Sequence, residues 1–149
     1  MKALILGHNG MLGNMVLNYL ESKGVICSIT NYRFPSTDFE NFIKNYQGDF
    51  IINCIGSIQQ KNNNFDVNFK LPADIENISN CKIIYPGSDC EDDNSNYGKS
   101  KRKATNFIKS NCKNTKIIKT SIIGPEISSE FGLMEWFLSQ KEVKGFSEF

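Results

Sequence analysis
Short, continuous apolar runs alternate along this chain with segments whose apolar residues recur every three or four positions. Residues 2–6, Lys-Ala-Leu-Ile-Leu, form a run of the kind a buried strand needs, and Leu12, Met15, Val16, Tyr19 and Leu20 then mark one face of a helix that Gly24 ends. Residues 25–30 predict a second strand. Asp38 is the predicted cap of a short helix carrying Phe39, Phe42, Ile43 and Tyr46, and residues 50–55 are a third strand, apolar almost throughout, as strands covered on both faces are. The stretch 65–78 fits two periods. Phe65, Val67, Phe69 and Leu71 alternate, whereas Leu71, Ile75 and Ile78 recur helically; helix is the expectation, because parallel strands need a crossover. Residues 82–85 and 116–121 predict the last strands, with a helix over 97–111 between them and a final helix over 131–140. The asparagine-rich stretches 61–64 and 91–96 read as loops, and no internal repeat occurs. This alternation predicts an α/β protein: a Rossmann-like, doubly wound parallel sheet in a single three-layer α/β/α domain spanning 1–149, with no separate substrate domain.

Composition narrows the reading only slightly. A chain of 149 residues with net charge +1 and 40% hydrophobic content has the balance of an ordinary globular domain and enough length for a real core. No apolar run approaches the roughly 18 residues of a membrane span, and residues 3–6 are too short for a signal-peptide core of about 7 to 15, so the expectation is a cytoplasmic protein without membrane contact. The 5 cysteines are odd in number and lack a C-x-x-C pair, which predicts reduced thiols and no metal site. Lys99, Lys101, Arg102, Lys103, Lys109, Lys113 and Lys116 make one segment basic, but no aromatic platform interleaves them. They predict a solvated helix face and no nucleic-acid partner.

Chemistry enters with Gly7-x-x-Gly10-x-x-Gly13 at the end of the first strand. Glycines there let the chain turn sharply, bring backbone N–H groups up to a diphosphate and seat the following helix against the strand, while the helix N-terminus adds its positive end. Asn9, Met11 and Leu12 lie in the same turn. A tight turn that binds nothing carries the same glycines, and His8 inside it reads as a spacer. Tyr97 and Lys101, in Tyr-Gly-Lys-Ser-Lys, fall one turn apart on one helix face. A cationic lysine beside a tyrosine lowers the phenol from its usual value near 10, which suits Tyr97 to exchanging a proton with a carbonyl oxygen as hydride moves. After the second strand the chain reads Thr30-Asn31-Tyr32-Arg33, with no carboxylate for ribose hydroxyls; Arg33 therefore favours NADP(H) over NAD(H), the alternative being a solvated loop arginine.

Taken in order, Leu-Ile-Leu-Gly-His-Asn-Gly-Met-Leu-Gly, Ile-Ile-Asn-Cys-Ile-Gly at 51–56, Gly-Ser-Asp-Cys at 87–90, Tyr-Gly-Lys-Ser-Lys, Lys-Thr-Ser-Ile-Ile-Gly-Pro-Glu at 119–126 and Gly-Leu-Met-Glu-Trp-Phe-Leu-Ser-Gln resemble the extended short-chain dehydrogenase/reductase superfamily. Within it they are most similar to sugar-nucleotide reductases of the dTDP-4-dehydrorhamnose reductase type. The resemblance implies Ser88 as the residue orienting the substrate carbonyl, Tyr97 as the acid and Lys101 as the group that grips the nicotinamide ribose. It places Asn53, Cys54 and Gly56 along the adenosine, Thr37 and Asp38 near the adenine, and Ile123, Gly124 and Pro125 at the carboxamide. Asn68, Glu126 and Trp136 would meet the nucleotide-sugar substrate. It also implies that the chain is truncated relative to the family, lacking most of the substrate-binding region, and contracted between its second and third strands. Two functions remain open on these residues: an NAD(P)H-dependent reductase of a nucleotide-linked 4-keto-6-deoxy sugar, or a cofactor-binding module or pseudoenzyme completed by a partner or a second copy. Apolar residues around Trp136, Phe137 and Phe146 predict self-association.

Overall fold
A computed structural model describes residues 1–58, 64–122, 124–127 and 132–144. Its strands β1 (Lys2–Leu6), β2 (Ile26–Ile29), β3 (Phe50–Asn53), β4 (Lys82–Pro86) and β5 (Thr115–Ile118) form one all-parallel sheet in the order β2-β1-β3-β4-β5. The chain runs outward from β1 to β2 and then crosses back to β3 on the other side of β1. Leu6 pairs with Asn53 in register, so the strand ends that flank this reversal lie together. In open α/β sheets ligands bind outside the carboxyl ends of the strands at such a reversal.

Helices α1 (Met11–Ser22), α2 (Thr37–Asn45), α3 (Asp66–Ile78) and α4 (Asn96–Asn111) cover both faces. On one face Leu4, Leu6, Ile51 and Ile83 pack with Phe39 and Ile43 of α2 and Leu71 and Ile75 of α3. Tyr85 continues that layer against Ala104 and Ile108 of α4. On the other, Ala3, Ile5 and Val25 pack with Val16, Leu17 and Leu20 of α1. The period-two alternation along β1 and β3 makes this division, each strand sending successive side chains to opposite layers. The result is the doubly wound architecture the sequence predicts, with 65–78 helical rather than extended.

The structure departs from the sequence pattern at several ends. Ser36 rather than Asp38 caps α2, its Oγ accepting the Phe39 N–H at 3.1 Å; Asp38 sits in the first turn, where a carboxylate complements the helix dipole. β3 stops at Asn53, whose side chain accepts the Ile55 N–H at 3.1 Å and turns the chain out of the ladder. The stretch 91–96 is not wholly loop, because Asp89–Asp92 forms a 3-10 turn capped by Ser88. β2 and β5 are the sheet's two edges. The last helix, α5 (Leu133–Ser139), has no buried residue and exposes Leu133, Met134, Trp136, Phe137 and Leu138. Phe131 and Phe146 lie outside the described residues. Among those described, no helix is long and apolar enough to cross a membrane.

Candidate active site
The glycine turn divides into two glycines the fold demands and one it does not. Gly7 has φ +79°, and a Cβ there would lie 3.0 Å from the Cys54 backbone. At Gly13 a Cβ would fall 2.1 Å from the Gly7 carbonyl oxygen, so α1 can seat on the turn only without one. Gly10 has φ −90° and a Cβ on it would meet only the Gly7 oxygen, at 3.4 Å. Gly10 is the N-cap of α1, yet no side chain caps this helix and no acidic residue occupies its first turn. The N–H groups of that turn therefore lack a side-chain cap, behind a residue that presents no side chain, which is the arrangement anion-binding helix starts use. Asn9 and Gly10 are exposed, whereas Met11 and Leu12 are half-buried. A Cβ on Gly124 would come 3.6 Å from Met11 Sδ, so the loop after β5 closes on the same turn; Pro125 beside it is exposed, and Ile123 lies outside the described residues.

Across the reversal, Asn53 is 1% exposed and its amide nitrogen has no partner within the described protein, while its oxygen holds the Ile55 N–H. Cys54 packs under Gly7, and burial pushes its thiol up to about 12. Gly56 is exposed, and a Cβ there would approach Asn68 Oδ1 at 3.4 Å. Asn68 itself is 3% exposed and fully engaged. Its oxygen accepts the Ser57 N–H at 2.7 Å, and its amide donates to the Ser57 carbonyl and to Ser100 Oγ, both at 3.0 Å. Ser100 in turn donates to the Tyr97 carbonyl at 2.6 Å. Asn68 thus ties the loop after β3 to the start of α4 as a strut.

At the end of β4 the three proposed catalytic side chains gather. Ser88 is buried; its Oγ accepts the Cys90 N–H at 3.2 Å and lies near enough to the Tyr97 phenol to favour its ionised form. Tyr97 is half-buried and meets the ring of Phe65 edge-on at 6.2 Å. Burial pushes its phenol above the ordinary value; the Ser88 hydroxyl opposes this, and Cys90, Glu91 and Asp89 add to the rise. Lys101 is 9% exposed, donates from Nζ to the Pro86 carbonyl at 2.7 Å, and lies 4.3 Å above the Tyr85 ring. Burial lowers its ammonium to about 8, against the pull of Glu91. The expected depression of Tyr97 by Lys101 is therefore absent. The ammonium is drawn to the end of β4, and the phenol stays protonated at neutral pH.

Other sequence-predicted residues lie apart from this cluster. Arg33 and Asp38 are exposed; Asp38 lines a cleft of about 490 Å³ with Ser28, Tyr32 and Asn41, which no glycine of the turn reaches. A second cleft, of about 500 Å³, joins Gly56 and Ser57 to Phe34, Val67 and Lys70. Glu126 is half-buried and donates its N–H to Glu135 Oε1 at 2.6 Å, which ties the loop after β5 to α5. Trp136 is 49% exposed on α5. Sequence reasoning missed Glu91, Ser100 and Thr105. For Glu91 a signal existed, since Ser88-x-x-Glu91 is the spacing of a capping box, and both of its hydrogen bonds form.

No family model matches the sequence, and no curated protein matches it. Solved structures share the fold. A dTDP-4-dehydrorhamnose reductase from Clostridium acetobutylicum superposes with TM-score 0.67 at 22% identity, over 88% of this chain and 56% of that one. The L780 UDP-rhamnose synthase from Acanthamoeba polyphaga mimivirus gives 0.65 at 20%, over 80% and 56%. A dTDP-4-dehydrorhamnose reductase from Bacillus anthracis, in complex with NADP, gives 0.59 at 16%, over 83% and 54%. The chain spans a little over half the length of these proteins. At such identities the likeness establishes a shared Rossmann-like α/β fold.

Proposed function
We propose that this chain binds a nicotinamide dinucleotide across the β1/β3 reversal and reduces the ketone of a nucleotide-linked 4-keto-6-deoxy sugar. The observation that carries the reading is the placement of Ser88 beside the Tyr97 phenol, close enough to ease its ionisation, at the end of β4, in a fold whose adjacent glycine turn leaves a helix N-terminus uncapped. The residues present fit such a cofactor. Gly7, Asn9, Gly10, Met11, Leu12 and Gly13 would hold its diphosphate, Asn53, Cys54, Gly56 and Asp38 its adenosine side, and Gly124 and Pro125 its carboxamide. Asn53 supports this with a buried amide that lacks a protein partner. One structural neighbour solved with NADP supports a nicotinamide cofactor, and NADP(H) is favoured over NAD(H) because Arg33 is exposed and residues 30–33 after β2 carry no carboxylate. When bound, the nicotinamide supplies the hydride.

The chain's own residues do the rest. Ser88 orients the carbonyl oxygen and Tyr97 gives it the phenolic proton, so the ketone becomes an alcohol and the tyrosine is left as phenolate. The raised phenol suits the reductive direction, because the acid form is the resting form. Lys101 would hold the ribose from the end of β4, and the Tyr97 phenolate regains its proton from solvent before the next turnover. Turnover of NADPH that depends on a dTDP-4-keto-6-deoxy sugar, and that falls about 10² to 10⁴-fold in Tyr97→Phe, is the expected result. A folded protein that binds cofactor yet turns over no such sugar, with Tyr97→Phe indistinguishable from wild type, overturns the reading.

A second reading has its own support. Trp136 sits on a helix that packs no residue into the domain, which favours a cofactor-binding module whose substrate side is built by a partner or second copy.

A further inference from the structure
Among the described residues only two charged side chains are buried, Glu91 and Lys101. They flank one short backbone segment. Lys101 Nζ donates to the carbonyl of Pro86 at 2.7 Å, while Glu91 Oε1 accepts the N–H of Ser88 at 3.0 Å. Between them Gly87 has no room for a side chain, since a Cβ would stand 3.0 Å from Glu91 Oε1 and 3.1 Å from Ile117 Cγ2. Glu91 is 7% exposed, and its Oε1 also accepts the Thr105 hydroxyl at 2.9 Å; Thr105 stands one turn beyond Lys101 on the same face of α4. The Glu91 carbonyl takes Arg102 Nη1 at 2.8 Å, so the 3-10 turn is pinned to α4 from both ends of this residue.

A buried carboxylate costs free energy unless hydrogen bonds and an opposite charge offset its lost hydration. We propose that Glu91 is the positioning residue of this site, a buried carboxylate that locks the Ser88 turn through its hydrogen bonds and sets its charge against Lys101 across the Pro86–Ser88 segment. Its catalytic consequence rests on the reductase reading above; its geometry does not. The other titratable groups around the pair are Tyr85 from β4, Asp89, Cys90 and Asp92 from the 3-10 turn, Tyr97 and Arg102 from α4, and Lys119 beyond β5, which pairs with Asp92 at 3.4 Å. The remaining cations, Arg102 and Lys119, are half-buried or exposed and are engaged with the Glu91 carbonyl and Asp92. Against burial, the Glu91 charge favours the Lys101 ammonium, alongside the Pro86 carbonyl and the Tyr85 ring.

The test is a side-chain titration of the whole chain by NMR, with labelled lysine, in wild type, Glu91→Gln and Glu91→Asp. Lys101 is assigned by the signal that Lys101→Met removes. Glu91→Gln lowers the Lys101 midpoint by about one pH unit or more, whereas Glu91→Asp, which keeps the charge and shortens the reach, restores most of it. With turnover, the alkaline limb of the pH profile moves by the same amount in Glu91→Gln. A Lys101 midpoint that Glu91→Gln leaves unmoved overturns the proposal, as does one that Glu91→Asp fails to restore. A shifted Lys101 in a protein that binds no nicotinamide overturns the reductase reading and leaves Glu91 in place; an unmoved Lys101 in one that does bind overturns Glu91 alone.

Discussion

Replacing Lys101 by methionine should change how stability depends on pH far more than it changes stability at pH 7. Burial takes the ammonium from the usual 10.5 to about 8, and the group is 9% exposed. At about 1.4 kcal/mol per pH unit, that displacement amounts to about 3 kcal/mol of unfavourable desolvation whenever both folded and unfolded chains carry the proton, which is below about pH 8. Between the folded and unfolded values the unfolded chain binds more protons, so stability rises with pH; above 10.5 the penalty is gone. Methionine removes the penalty at every pH. It also strips the Pro86 carbonyl of its donor, at about 1 to 3 kcal/mol, and removes a cation–π contact with Tyr85 worth about 0.5 to 2 kcal/mol. Near neutrality these losses and the relieved penalty nearly cancel. Moving from about pH 7.5 to 9.5, wild type should gain about 2 kcal/mol relative to Lys101→Met, by linkage. Urea unfolding of both proteins, followed by circular dichroism at each pH, measures this difference. The raised groups Cys54, Tyr85 and Tyr97 make both proteins less stable at high pH, and their contribution cancels in the comparison. A difference that stays constant across the range would refute the buried, charged Lys101.

Gly13→Ala puts a Cβ 2.1 Å from a backbone oxygen that cannot swing away, and should destabilise by about 3 kcal/mol in urea unfolding; Gly10→Ala meets only a 3.4 Å contact and should stay within about 1 kcal/mol of wild type while weakening dinucleotide binding. Asn68→Ala removes three hydrogen bonds from a buried strut and should cost about 2 to 4 kcal/mol, lowering the thermal midpoint by roughly 10 °C or more. The apolar side chains of α5 should drive self-association, seen by light scattering as a concentration-dependent mass that Trp136→Glu abolishes.

The layers of the fold were legible because β1 and β3 are continuous apolar runs and α1 has one apolar face; even the ambiguous 65–78 resolved once parallel strands demanded a crossover. Element ends were less so. Ser36 and Asp38 are both good caps, and the choice between them depends on the extended backbone at Ser36, which no hydrophobic pattern reveals. The Tyr97–Lys101 spacing placed both residues on one helix face, but the direction of the lysine head is a property of β4, whose Pro86 carbonyl and Tyr85 ring capture it. Likewise Asn68 was placed beside the site by motif order, while its role emerged only from the loop it clamps. Glu91 stood in plain view as the acidic end of a capping box, and the acidic, asparagine-containing stretch around it read as loop.

The most direct measurement is a titration of the purified chain with NADPH and with NADH, following nicotinamide fluorescence, with Gly10→Asp as the control. Binding on the order of micromolar, tighter for NADPH and lost when a carboxylate stands at the uncapped start of α1, is the result this account predicts. Folded wild-type protein that binds neither nucleotide would contradict it, leaving the glycine turn a purely structural feature of the β1–α1 connection.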